Sequence, residues 1–271
     1  MSVSRPARLW LSALAFSSIA ACAFAQSPKT EFQPEVGQSG KDVVWVPSPQ
    51  ELVDKMLDMA KVTPKDFVMD LGSGDGRTVI TAAKRGASAL GVEFNPDMVA
   101  LSKRNAEKAG VGGKANFVEA DIFKTDLSKA TVVTMFLLTD LNIRLRPTIL
   151  TLKPGTRVVS NTFRMGEWEP DQTVELGCDT YCTAYLWIVP ARVEGTWQSG
   201  HGALVLKQQF QKLSGALNSG NVSAPISRGS LNGDQIGFMA GGAEYHGRVN
   251  GNSIEGTVKS SGKSSPWKAT R

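Results

Sequence analysis

A chain of 271 residues with 41% hydrophobic content can pack one sizeable domain and a small second one, which excludes a predominantly disordered protein. Its 30 lysines and arginines against 25 acids give a net charge of +5. They form no dense basic stripe, so no nucleic-acid partner is expected.

The first residues read as an export signal. Arg5 and Arg8 precede an apolar stretch over residues 9–21, and Ala23-Phe24-Ala25 before Gln26 is a small-residue cleavage site. Residues 1–25 are therefore expected to be a signal peptide, and the protein to be exported to a bacterial periplasm. The stretch is too short, and too rich in serine and alanine, for a membrane span, so none is expected in the mature chain. Cleavage after Ala25 removes two arginines and no acid, which leaves a net charge of +3. A rival cleavage in Ile19-Ala20-Ala21-Cys22, similar to a lipoprotein box, would leave Cys22 lipidated.

Residues 26–42 are polar and rich in Gly, Pro and Ser, and read as a linker. The first domain is expected over 43–193. It opens with Trp45-Val46-Pro47-Ser48-Pro49, where Ser48 is the expected N-cap of a helix, with Glu51 at the capping-box position. Leu52, Val53, Met56, Leu57 and Ala60 make that helix's apolar face. Strand and helix then alternate: strands at 67–69, 89–93, 116–120, 131–138 and 156–160, helices at 77–84, 95–109 and 141–152. The run 131–138 is continuously apolar and therefore central. Such alternation predicts a parallel sheet with right-handed crossovers.

After Trp168 the helices stop. Residues 173–176 and 184–189 read as an antiparallel pair enclosing Cys178 and Cys182. In an exported protein two cysteines four apart read as a disulfide, if the Cα atoms come within about 7 Å; free thiols and a metal site are the alternatives. No metal is expected, because His201 and His246 lie far along the chain and nothing else completes a ligand set. Residues 195–271 shift to Gly, Ser and Asn with alternating apolar positions. Gly229-Ser230-Leu231-Asn232-Gly233-Asp234-Gln235-Ile236 recurs as Gly247-Arg248-Val249-Asn250-Gly251-Asn252-Ser253-Ile254, each Asn-Gly reading as a type I′ hairpin. A small all-β antiparallel meander, a barrel or a sandwich, is expected there, either as a stabilising appendage or as a dock for a partner.

The chemistry is carried by Asp70-Leu71-Gly72-Ser73-Gly74-Asp75-Gly76, with Gly91-Val92-Glu93 downstream. A dinucleotide fingerprint G-x-G-x-x-G would need glycine where Arg77 stands. Asp70 and Asp75 would repel a phosphate and suit a cationic ligand. The pattern resembles motif I of the class I, seven-stranded methyltransferases that use S-adenosylmethionine. The resemblance implies a Rossmann-like α/β sheet in which Asp70, Gly72, Ser73, Gly74 and Gly76 hold the amino-acid end of the cofactor. Glu93 would take the ribose and Asp121 the adenine amino group, each at the carboxyl end of a strand.

Together with Thr134-Met135-Phe136-Leu137-Leu138 and Val158-Val159-Ser160-Asn161-Thr162-Phe163, these motifs are similar to the protein-lysine methyltransferases of the mitochondrial ADP/ATP carrier and ATP synthase c subunit and their bacterial relatives. The resemblance covers residues 43 to about 190 and implies a protein lysine as methyl acceptor, with a small molecule as alternative. Ser48, Phe136, Asn161 and Phe163 are the candidate acceptor pocket, although Asn161 stands where a more polar or charged stretch is implied. Methyl transfer is an in-line displacement at an activated sulfonium, so alignment and desolvation carry it and no acid–base residue is assigned. Nucleic-acid amino-methyltransferases carry an Asn/Asp-Pro-Pro-aromatic motif where this chain has Phe136-Leu137-Leu138-Thr139. An exported binding or scaffold protein without turnover is the contrasting expectation.

Overall fold

Val68, Met69 and Leu71 leave almost no surface to solvent in β1 (Phe67–Leu71), as a strand must when helices cover both faces of its sheet. The computed structural model describes residues 1–3 and 31–271, of which Phe32–Arg271 form one unit. The expected export signal's charged and apolar segments, both cleavage sites and Cys22 lie outside the described residues. Among the described residues no helix is long and apolar enough to cross a membrane.

After α1 (Gln50–Met59), β1 and α2 (Arg77–Lys84) come β2 (Ser88–Glu93), α3 (Pro96–Lys108), β3 (Ala115–Glu119), β4 (Val132–Met135), α4 (Thr139–Ile149) and β5 (Arg157–Asn161). The antiparallel pair β6 (Gln172–Glu175) and β7 (Thr183–Ile188) completes a seven-stranded sheet ordered β3-β2-β1-β4-β5-β7-β6. β1 to β5 run parallel, and β7 lies antiparallel between β5 and β6. One face is covered by α1, α2 and α3 through residues such as Leu52, Leu57, Val79 and Val99. On the other face Leu145 and Ile149 of α4 pack with Met69, Met135, Trp168 and Trp187.

Two local expectations change. The apolar run 131–138 pairs only as far as Met135, and its last three residues turn out over the strand ends. At α1 the N-cap is Pro49, without a side-chain cap, because the Ser48 hydroxyl is used elsewhere: it accepts from Asn161 Nδ2 at 2.9 Å.

A second sheet follows directly. Its strands are β8 (Gly195–Ser199), β9 (Gly202–Gln209), β10 (Lys212–Ser219), β11 (Val222–Pro225), β12 (Ser227–Asn232), β13 (Gln235–Ala240), β14 (Ala243–Asn250), β15 (Ser253–Ser260) and β16 (Lys263–Thr270). β16 returns to β8, and β9 pairs β10, so the antiparallel meander closes into a barrel with β11 beside β12 on one edge of β10. Trp197, Leu204, Leu206, Ile236, Phe238, Tyr245, Ile254 and Trp267 fill it. Two of its seams are thin. β8 meets β16 only at Ser199↔Ala269 and Gln198↔Thr270, and β10 meets β12 only at Lys212↔Ser230 and Leu213↔Gly229.

The repeated Asn-Gly steps are hairpins, with the turn one residue later than expected. Asn232 pairs Gln235 and Asn250 pairs Ser253, so the loops are Gly233-Asp234 and Gly251-Asn252. Only the glycine of each loop has positive φ, the II′ rather than the I′ pattern. The earlier turn would place Asp234 opposite Leu231 and Asn252 opposite Val249 on the face that fills the barrel.

The barrel grips the first sheet through the β9–β10 hairpin. Phe210, at φ +54, stacks on Trp168 with ring centroids 5.7 Å apart, and the Arg146 guanidinium lies 5.3 Å from its centroid. Beside it Gln211 Nε2 donates to the Glu169 carbonyl at 2.8 Å, and Ala191 N donates to the Gly233 carbonyl at 2.8 Å. Phe210→Ala should therefore cost about 2 kcal/mol, less than the ~3–5 kcal/mol of a fully buried phenylalanine. A denaturant melt that matches the unsubstituted protein would show that the stack contributes nothing.

Candidate active site

Three glycines in left-handed conformations carry the chain from β1 into α2: Gly72 at φ +77, Gly74 at +54 and Gly76 at +84. At Gly74 a Cβ would stand 2.7 Å from Trp45 Nε1, so the indole lies directly on this turn. Gly72 N and Ser73 N donate to the Val92 carbonyl of β2 at 2.8 and 3.1 Å, which seats the turn against the neighbouring strand end.

Glu93 fastens it further. Its carboxylate accepts from Gly74 N at 3.0 Å, Phe94 N at 2.9 Å and Asn95 N at 3.0 Å. Asn95 in turn caps α3, accepting from Asp97 N and Met98 N. Below the turn lies Asp70, 6% exposed, whose Oδ1 accepts from Thr134 Oγ1 at 2.6 Å. Burial first, then the negative charges of Glu93 and Asp75, push its carboxyl up to about 7 against the pull of the Thr134 bond. Past the end of β3, Asp121 accepts from Phe123 N at 2.9 Å and from Lys41 Nζ at 2.8 Å, and the Lys41 bond holds its carboxyl below the usual range.

These groups line one cleft of about 210 Å³ with Ser48, Phe136 and Phe163. Two of the expected site residues lie outside that lining. Gly76 instead meets the Phe117 ring, where a Cβ would come within 2.8 Å, so it serves the packing of α2 on β3. Asn161 is fully buried behind the cleft, donating to Ser48 and accepting from Thr162 Oγ1 at 2.9 Å.

The expected linker also contributes. Gly37 N and Trp45 N bond to the carbonyls of Trp45 and Gln38, folding residues 37–45 into a strap whose Lys41 and Trp45 reach the site. Lys41 additionally lies 4.6 Å from the centroid of the Phe94 ring. Polar composition conceals such a strap, because its anchors are single side chains. Tyr181, between Cys178 and Cys182, completes the cleft from β6–β7. Those cysteines are joined in a disulfide with Cα atoms 5.7 Å apart.

The donor set fits S-adenosylmethionine. Ser73 Oγ is buried with no hydrogen-bond partner among the described residues, inside a turn too close to Trp45 for a Cβ. Asp70 supplies a buried carboxyl for a cationic group, and Glu93 an acceptor at the end of β2 for ribose hydroxyls. The cofactor supplies an electrophilic methyl group on a sulfonium.

A glycine cradle of this kind at the head of a sheet ordered β3-β2-β1-β4-β5-β7-β6 defines an S-adenosylmethionine-dependent methyltransferase. Residues 70–172 match the model of the ANTKMT methyltransferase domain. A protein-lysine N-methyltransferase of Saccharolobus islandicus is 45% identical over 151 residues, 54% of this chain and 94% of that protein. The adenine nucleotide translocase lysine N-methyltransferase of Mus musculus is 33% identical over 139 residues, 51% of this chain and 60% of that one. Among solved structures, an RNA methyltransferase from Salinibacter ruber in complex with S-adenosyl-L-homocysteine is 47% identical, with a TM-score of 0.52, over 55% of this chain and 96% of that one. The chain belongs to the family of these protein-lysine N-methyltransferases.

Glu93→Ala should weaken S-adenosylmethionine binding tenfold or more, since it removes a charge-assisted contact of about 1.5–3 kcal/mol and releases the turn at Gly74. Calorimetric titration reads this directly. An unchanged affinity would mean that the cofactor lies elsewhere.

Proposed function

We propose that the protein transfers methyl groups from S-adenosylmethionine to the ε-amino group of lysine in another protein. In this reading Asp70 and the 72–74 turn hold the amino-acid end of the cofactor, Glu93 the ribose and Asp121 the adenine. Phe136 carries the acceptor assignment. It follows β4 in the cleft, where Phe136-Leu137-Leu138 offers apolar and aromatic side chains rather than polar groups that could read a base edge. A lysine must lose its proton before it attacks, and the positive sulfonium of a bound cofactor would disfavour the charged amine at the reacting end of the cleft. The alignment then does the rest, with no acid–base residue required. The identity to the lysine methyltransferase of Saccharolobus islandicus over nearly its whole length supports the same acceptor. It also disfavours a scaffold without turnover.

Export belongs to the proposal. It is supported by Arg5, Arg8, the apolar residues 9–21 and Ala23-Phe24-Ala25, and it directs the search for acceptors to the cell envelope. The test is a comparison of methylated proteins, by peptide mass spectrometry, between cells with and without the gene, fractionated into cytosol and envelope. Nε-methyllysine lost from envelope proteins in the deletion strain is the expected result. Loss of methylation confined to RNA would overturn the acceptor, and an unprocessed chain in the cytosol would overturn export.

A further inference from the structure

Three rings from separate parts of the chain meet at the acceptor end of the cleft. Phe136 follows β4, Phe163 follows β5, and Tyr181 sits in the loop between β6 and β7. Phe136 and Phe163 are near-parallel, 24° apart with centroids separated by 6.0 Å. The Tyr181 and Phe136 rings are inclined at 66° with centroids 5.1 Å apart, and Tyr181 lies 6.4 Å from Phe163. The rings thus form a corner rather than a flat wall. Tyr181 is 39% exposed and lines the cleft.

The loop that presents Tyr181 is held from both sides. Tyr181 has φ +56, a conformation that a bulky residue keeps only where its surroundings impose it. The Cys178–Cys182 disulfide closes the loop around it, and the Leu176 N to Cys182 carbonyl bond at 2.9 Å pins its base. An aromatic ring face attracts a cation, most strongly where water is excluded, and a methylated ammonium sheds water readily. Glu93 lines the same cleft and adds negative potential.

Resting on the lysine reading above, we infer that Tyr181, held by the Cys178–Cys182 loop, completes an aromatic corner that positions the alkylammonium end of the acceptor side chain. Tyr181 is a positioning residue: it selects a cation with a hydrocarbon surface, and the disulfide sets its place.

The test compares two capped pentapeptides on protein saturated with S-adenosylhomocysteine. One carries a central Nε-trimethyllysine; the other carries its uncharged tert-butyl isostere. The unsubstituted protein should prefer the charged peptide by on the order of fivefold or more. Tyr181→Phe should keep that preference, since the ring face remains. Tyr181→Ala, and separately the double variant Cys178→Ser/Cys182→Ser, should reduce it below about twofold while S-adenosylhomocysteine affinity stays unchanged. Adding Tyr181→Ala to the double variant should cause no further loss, because both act on one ring. Equal affinity for the two peptides, or a preference that survives Tyr181→Ala, overturns the inference. If lysine methylation is found in cells and the peptides bind equally, the inference fails alone. If the preference is present and no lysine is methylated in cells, the corner stands as an alkylammonium site and the acceptor reading falls.

Discussion

Asp70→Asn should make the ligand-free protein more stable at pH 8 and weaken S-adenosylmethionine binding at least tenfold. Asp70 is buried beneath the glycine turn, and its carboxyl is pushed up to about 7 from an ordinary 3.8. The native state therefore holds a proton that the unfolded chain has released across that interval. The Asp70 contribution to the stability of the ligand-free protein is greatest below about pH 4, falls as pH rises towards 7, and levels off above it. The rise from 3.8 to about 7 corresponds to about 4 kcal/mol, of which the amide should recover about 1–3 kcal/mol after its own burial cost. Asparagine keeps an oxygen for Thr134 and offers no charge to a cation. Binding of a cationic ligand favours the ionised carboxylate, so affinity should rise with pH up to about 7 and binding below that pH should release a proton. Melts across pH 5 to 8 and titrations in two buffers of different ionisation enthalpy read both halves. Equal affinity in the asparagine variant would remove Asp70 from the cofactor site.

The largest loss of stability should come from Asp66→Ala. At the amino ends of the strands, remote from the cleft, this carboxylate is 8% exposed and accepts from Thr63 N at 2.8 Å, Thr63 Oγ1 at 2.9 Å, Thr131 Oγ1 at 2.8 Å and the Arg157 guanidinium. Arg157 also donates to the carbonyls of Ala60 at 3.0 Å and Thr131 at 3.1 Å. One ion pair thus joins the end of α1, the entry to β1, the entry to β4 and the start of β5. Alanine would leave the guanidinium without its counter-charge, at a cost of about 3–5 kcal/mol. Burial alone would raise the Asp66 carboxyl, but Arg157 and the hydroxyl and backbone donors hold it below its usual range. Its contribution is present at neutral pH and is lost as pH falls below the ordinary carboxylate range, the opposite sign to Asp70. Denaturant midpoints at pH 7 measure the loss. A shift of less than about 1 kcal/mol would mean that Thr63 and Thr131 suffice to hold the corner.

How legible these features were depended on how local their causes are. The glycine turn, the Asn95 cap and the acids at strand ends follow from neighbours within a few residues, and their positions in the fold could be read from spacing. Gly76 belongs to the same pattern, yet the ring that demands its lack of a side chain is Phe117, in β3, three elements beyond α2. Ser48 carries every local sign of a helix cap, and its hydroxyl is claimed by Asn161, 113 positions away. The Lys41–Asp121 ion pair spans 80 positions and turned a polar segment into a strap. In the barrel the alternation of apolar residues is plain, while the turn register is decided by which side chains must face inward across the hairpin.

The two thin seams divide the barrel into unequal staves, β8 to β11 and β12 to β16, each internally paired through consecutive hairpins. Ser199 and Ala269, which close one seam, are 70 positions apart, so this contact alone carries the entropy of a long loop. Opening there breaks few backbone hydrogen bonds and leaves every hairpin intact. Amide hydrogens of Gln198 and Thr270, which face the seam, should then exchange well before those along β14 and β15, where seven consecutive pairs lock the strands together.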